Sequence, residues 1–214
     1  MDFLPEEIEQ FVEAHTRPEP EVLKQLNRET YAKVLMPRML SGHVQGQVLR
    51  MLSLMIKPKN ILEVGTFTGY SGICLSEGLQ EGGKLITIDV NAELEEMVRR
   101  YFKQAGVENK IDYRIGNAMQ IIPSLNEKFD LVFIDADKEN YSNYYDLVFD
   151  KVNTGGYIIA DNVLWSGRVV EPESRMDKDT KAIVAYSKKV CADKRMETVL
   201  FPVRDGLLIS RKVV

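Results

Sequence analysis

Five short apolar runs recur between residues 61 and 160, each separated from the next by a stretch that carries a helical pattern or a turn. They are Ile61–Val64, Lys84–Asp89, Ile111–Ile115, Phe129–Ile134 and Tyr157–Ala160. Helices are expected between them at Tyr70–Leu79, Ala92–Gln104, near Met119–Ser124 and near Tyr144–Val152. Glycine pairs at Gly82–Gly83 and Gly155–Gly156 read as turns into the second and fifth runs. Strands alternating with helices of this length must cross over right-handed and lie side by side in one sheet. The pattern therefore predicts an α/β fold with a doubly wound, mostly parallel sheet.

The two ends of the chain read differently. Residues 1–56 carry no strand signal. Leu4–Ala14 and Glu21–Leu35 have helical spacing, Pro37 breaks the second run, and Val44–Ile56 resumes it. This is expected to be a helical appendage on a core of residues 57–214, the whole forming one domain. After a helix at Thr180–Cys191, the β-like runs Met196–Val203 and Leu207–Lys212 meet at Arg204–Asp205–Gly206, and Asp-Gly is a hairpin signal. The sheet should thus end in an antiparallel pair.

A chain of 214 residues can bury a core without disulfide or metal staples. Its 44% hydrophobic and 28% charged residues exclude a disordered or collagen-like class. A net charge of −4 argues against bulk attraction to nucleic acid or anionic lipid. No apolar run approaches the length of a membrane span, and the acidic start MDFLPEEIEQF does not read as a secretory signal. A cytoplasmic location is expected. Cys74 and Cys191 form no metal-like cluster, and both are expected to be buried thiols.

Four of the strands carry an acid at or just inside their carboxyl ends: Glu63, Asp89, Asp135 and Asp161. Ligands of doubly wound sheets bind outside that edge, and bare carboxylates gathered there need cations, hydroxyls or backbone donors. In EVGTFTGYSG, Gly65 allows a tight turn and Gly69 a close approach. Phe67 and Tyr70 stand where a dinucleotide fingerprint needs glycine, and no P-loop Lys-Ser/Thr pair follows. Asp89 stands where a carboxylate accepts ribose hydroxyls. A nucleoside with a methionine tail over Gly65 and Glu63 satisfies this set, which favours S-adenosylmethionine over NAD. Asp135 closes the fourth strand and Asp161–Asn162 the fifth. Two carboxylates and an amide oxygen on neighbouring strands suit a hard cation, Mg²⁺ ahead of Mn²⁺ or Ca²⁺, and suit zinc poorly.

Together, RMLSGHVQGQ, ILEVGTFTGYSG, ITIDV, FIDADKENY and DNVLWSG resemble the cation-dependent O-methyltransferases, the family of catechol and caffeoyl-CoA O-methyltransferases. The resemblance covers roughly residues 30–214. It implies the seven-stranded sheet of the class I S-adenosylmethionine-dependent methyltransferases. It also implies Asp135, Asp161 and Asn162 as metal ligands, and Asp135 beside the cofactor as well. Glu63, Gly65 and Ser71 match contacts to the methionine part of the cofactor, with Phe67 lining that cavity. Asp89 matches the ribose acid, Val90 and Ala118 flank the adenine, and Met39 matches a methionine near the transferred methyl. Lys138 matches the lysine assigned as general base, accompanied by Asp137 and Tyr141. A salt bridge to a site acid is the plainer role for that lysine.

Two residues keep two readings each. His43 either helps bind the acceptor or packs and caps a helix. Trp165 either walls an aromatic acceptor or fills the core. The charged stretch between Gly167 and Asp179 is expected to be a mobile lip.

The resulting expectation is a Mg²⁺-dependent O-methyltransferase acting on a vicinal-dihydroxy, catechol-like small molecule, working as a homodimer with no membrane partner. Three rivals stand beside it. One is a tRNA 5-hydroxyuridine wobble-base O-methyltransferase, for which Lys188–Lys189 and Lys194–Arg195 are the only evident basic runs. The others are a non-catalytic nucleoside-binding protein and an NAD oxidoreductase, the last disfavoured by Phe67 and Tyr70.

Overall fold

The computed structural model describes residues 5–214. In chain order its main elements are α1 (Glu6–Ala14), α2 (Glu21–Lys33), α3 (Gly42–Ile56), β1 (Asn60–Val64), α4 (Tyr70–Ser76), β2 (Lys84–Asp89), α5 (Glu95–Gln104) and β3 (Ile111–Ile115). They continue with α6 (Ala118–Ser124), β4 (Phe129–Ile134), α7 (Tyr141–Phe149), β5 (Val152–Ala160), α8 (Lys178–Ala192), β6 (Met196–Phe201) and β7 (Leu207–Lys212). The strands form one seven-stranded sheet in the order β3-β2-β1-β4-β5-β7-β6. β2 pairs with β3 and β4 with β5 in parallel, whereas β7 runs antiparallel to both β5 and β6. This is the α/β architecture that the strand–helix alternation predicts, closing hairpin included.

The chain packs as two compact units. The first holds residues 5–61 together with Thr66–Gly116. Its core joins Leu23 and Leu26 of α2 to Tyr70 and Ile73 of α4 and to Val98 and Phe102 of α5. The amino-terminal helix α2 is therefore part of a packed core. Its apolar spacing buries one face, and Val34 leaves the helix in an extended conformation before Pro37 opens a short 3-10 turn. The helix thus stops at Lys33, short of the expected Leu35.

The second unit holds Leu62–Gly65 and Asn117–Val214. Phe129, Leu131 and Phe133 of β4 are wholly buried, as parallel strands covered on both faces require. Tyr186 of α8 packs edge-on against Tyr141 and Tyr145 of α7, with centroids 5.4 and 6.4 Å apart. Here the sequence reading misplaces both ends of the helix and the start of the strand that follows it. α7 spans Tyr141–Phe149, and Val152 already belongs to β5. The strand runs through both glycines; Gly155 has φ 84° and the register against β4 shifts between Phe129 and Leu131. Glycine inside a strand marks a bulge as readily as a turn. At the other end of the sheet, Pro202, which lacks an N–H, follows the last residue of β6.

The cysteine expectation holds for one residue and fails for the other. Cys74 is buried on α4, whereas Cys191 is exposed. On α8 the inward positions are Thr180, Ile183, Tyr186 and Val190, and residue 191 follows the last of these around the helix to the outer face. Residues 173–175 form a 3-10 turn within the charged stretch, and 3-10 turns interrupted by left-handed Ser166 and Gly167 lead into it over residues 165–170. Among the described residues, no helix is long and apolar enough to cross a membrane.

Candidate active site

In the second unit, β4 and β5 lie in parallel with Ile134 opposite Ala160. The next residue on each strand is an aspartate, and Asp161 N–H donates to the Ile134 carbonyl at 3.0 Å. Register thus delivers Asp135 and Asp161 side by side. Asn162 follows with φ 58°, a left-handed turn that asparagine tolerates better than most residues.

Lys138 sits in the 3-10 turn after β4 and is 8% exposed. Its ammonium donates to Asp135 Oδ1 at 3.0 Å, to Asn162 Oδ1 at 2.9 Å and to the Tyr141 hydroxyl at 2.6 Å. All three N–H bonds are used. Tyr141 in turn donates to the Asp161 carbonyl at 3.0 Å. Burial, and then the charges of Asp135 and Asp161, push the Tyr141 phenol well above its usual range, so it stays protonated and able to donate.

Two of the three expected metal ligands therefore aim their oxygens at one cationic centre. The third, Asp161, is 2% exposed at the adjacent strand end, with Oδ1 accepting from Asn162 N–H at 2.7 Å. A donor set made only of oxygens, two of them directed at one positive charge, fits a hard divalent ion. No group of three or more His, Cys, Asp or Glu side chains suited to a metal occurs among the described residues. Here the third oxygen comes from an amide.

Glu63, 0% exposed, is the last residue but one of β1, and Gly65 follows the strand in the same unit. Gly65 has φ 103°, and a Cβ there would run into the Asp135 carbonyl. The glycine is required by that close approach as well as by its turn. Trp165 has φ 46°, its ring centroid lies 5.7 Å from Lys138 Nζ, and its buried Nε1 has no hydrogen-bond partner. Ala118 is buried at the start of α6, where the Asn117 side chain caps the helix by accepting from Met119 N–H.

The first unit holds the other candidates. Phe67 has φ 47°, and its N–H donates to Asp89 Oδ2 at 2.7 Å. The other Asp89 oxygen accepts from Asn91 N–H at 2.9 Å. Thr66 and Thr87 join hydroxyls at 2.6 Å, and Ser71 is buried in α4. Val90 and Met39 are exposed, at 72% and 56%. His43 Nε2 lies 2.6 Å from the Arg17 carbonyl, so its ring tethers the segment that joins α1 to α2.

The sequence reading finds Asp89 but misses its bonds to backbone N–H groups. It also misses the Thr66–Thr87 pair, because its two residues lie 21 positions apart along the chain.

The family described as O-methyltransferase matches residues 12–213. Caffeoyl-CoA O-methyltransferase 1 of Eucalyptus globulus is 38% identical over 91% of this chain and 83% of its own length. The caffeoyl-CoA O-methyltransferase of Petroselinum crispum is 37% identical over 91% and 85%. Among solved structures, the O-methyltransferase from Bacillus cereus in complex with SAH superposes with a TM-score of 0.89 at 27% identity, covering 96% of this chain and 97% of that one. With a match along nearly its whole length and relatives this similar, the chain is a member of the O-methyltransferase family.

Proposed function

We propose that this O-methyltransferase moves the methyl of S-adenosylmethionine to one hydroxyl of a vicinal-dihydroxy, catechol-like small molecule with the help of a divalent cation. The observation that carries the reading is the convergence of Asp135 Oδ1 and Asn162 Oδ1 on one positive charge beside Asp161. Asp135, Asp161 and Asn162 would hold Mg²⁺ or a similar hard ion. Such an ion, when bound, chelates adjacent oxygens of the acceptor and makes its hydroxyl more acidic.

The remaining work belongs to the chain's own residues. Glu63, Gly65 and Ser71 take the methionine part of the cofactor, and Phe67 lines that part of the site. Asp89 accepts from the ribose hydroxyls, Val90 and Ala118 flank the adenine, and Met39 lies towards the methyl. In its neutral amine form, Lys138 Nζ would receive the acceptor proton as the acceptor oxygen takes the methyl and the sulfonium leaves as a neutral thioether. Trp165 offers an apolar wall with a free indole N–H to an aromatic acceptor. His43, already bonded to the Arg17 carbonyl, serves the helical segment rather than the acceptor. No covalent intermediate on the protein is needed, so alignment carries most of the rate.

A methyl-transfer screen over catechols, other vicinal diols, hydroxylated nucleosides and bulk tRNA, each with Mg²⁺ and with EDTA, tests this. Turnover of a catechol that vanishes in EDTA is expected. Equal turnover in chelator rejects the cation, and transfer to tRNA alone rejects the small-molecule acceptor.

A further inference from the structure

We propose that Thr30, on the amino-terminal helix α2, is a positioning residue that holds the cofactor loop of residues 66–69 in its binding shape. The inference rests on the reading of that loop as the S-adenosylmethionine loop and extends it to the amino-terminal helix packed in the same core.

Three consecutive loop residues are each pinned to a different place. The Thr66 hydroxyl bonds the Thr87 hydroxyl of β2. Phe67 N–H bonds the Asp89 carboxylate. The Thr68 hydroxyl lies 3.3 Å from Thr30 Oγ1. Between the two threonines, Phe67 holds a left-handed φ of 47°. For a residue with a side chain that conformation is strained, and it persists only where its neighbours enforce it.

The Thr30 hydroxyl faces two acceptors, the Leu26 carbonyl at 2.8 Å and Thr68 Oγ1 at 3.3 Å. Its one proton serves both the helix and the loop. Both threonines are 0% exposed, so no solvent stands by to replace the partner. Removing the Thr30 oxygen leaves the Thr68 hydroxyl a buried orphan, and the loop gains a reason to move.

Thr30 is itself held fast. Its neighbour Glu29 accepts from Arg100 Nη1 and Nη2 at 3.1 and 2.9 Å and from the Tyr101 hydroxyl at 2.7 Å, all on α5. Leu23 and Leu26 are buried in the same core. The helix is therefore a rigid post, and Thr30 is its point of contact with the loop.

Isothermal titration with SAH tests the role without knowledge of the acceptor, at a temperature well below the melting of each variant. Thr30→Val keeps the shape but removes the hydroxyl, and with it both the bond to the Leu26 carbonyl and the contact with Thr68. It should weaken SAH binding about three- to tenfold, the worth of one hydrogen bond. Thr30→Ser, which keeps the hydroxyl, should bind within about twofold of the parent. Thr30→Val combined with Thr68→Val should be no weaker than Thr68→Val alone, because both remove the same contact.

A Thr30→Val protein with unchanged SAH affinity and only a lower melting temperature would show a purely structural threonine and overturn the proposal. So would a Thr30→Ser protein as weak as the valine variant. If the parent chain itself binds neither SAH nor S-adenosylmethionine, the cofactor reading fails and the positioning role falls with it.

Discussion

Lys138 is the residue on which the proposed chemistry turns, because its ammonium joins the acidic and amide oxygens to the Tyr141 hydroxyl. Lys138→Ala should lower turnover by about 10²- to 10⁴-fold, the usual range for a general base. A rise in pH should restore part of it, since the acceptor hydroxyl then ionises unaided. A small loss that does not vary with pH would mark the lysine as a salt-bridge partner only. Asp161→Ala should abolish cation-dependent turnover while SAH affinity, measured by titration, stays close to the parent value. Gly65 is constrained in a different way. Its φ of 103° and the Asp135 carbonyl beside it exclude a side chain, so Gly65→Ala should cost both stability and SAH binding. A melting curve and a titration on the same sample check both.

Among the elements, α2 deserves a pH test of its own. Hydrogen bonds from Arg100, Tyr101 and Lys33 lower the Glu29 carboxyl from 4.5 to about 2. A carboxyl whose folded value lies below its unfolded one binds fewer protons when folded. Its contribution is therefore complete above pH 4.5 and drains away as pH falls towards 2. Glu29→Gln should lower stability at neutral pH by about 1 kcal/mol, the scale of a partly exposed ion pair. It should also flatten the acid limb of a urea-midpoint profile between those two values; an unchanged limb would remove Glu29 from the account. Nothing in the sequence pairs Glu29 with Arg100, which lies 71 residues away. Strand periodicity, by contrast, placed β2, β3, β4 and β7 at their observed bounds, because apolar alternation and turn residues are local signals. The start of β5 escaped because two glycines look alike in a turn and in a bulge. Asp135, Asp161 and Asn162 could be named from the chain because strand ends are local too. The threonine contacts and the Tyr141 bond to the Asp161 carbonyl arise only from packing.

For the molecule as a whole, phenols set the alkaline limit. Burial, then the charges of Asp89 and Glu95, push Tyr113 up to about 12, and its hydroxyl has no partner. Burial also raises Tyr144, Tyr145 and Tyr186. In each case the folded state keeps a proton that the unfolded state has lost, so stability falls as pH rises above 10. Urea midpoints should drop steeply from pH 10 to 11.5, and the tyrosinate absorbance should rise together with the loss of circular dichroism. A tyrosinate signal that completes while the fold survives would contradict this. The two cysteines, one outward on α8 and one enclosed on α4, give the same molecule a built-in counter. A maleimide dye should attach once per native chain, and each second attachment records a moment when the core around α4 has opened. Timed alkylation could thus follow the breathing of that core without any engineered reporter.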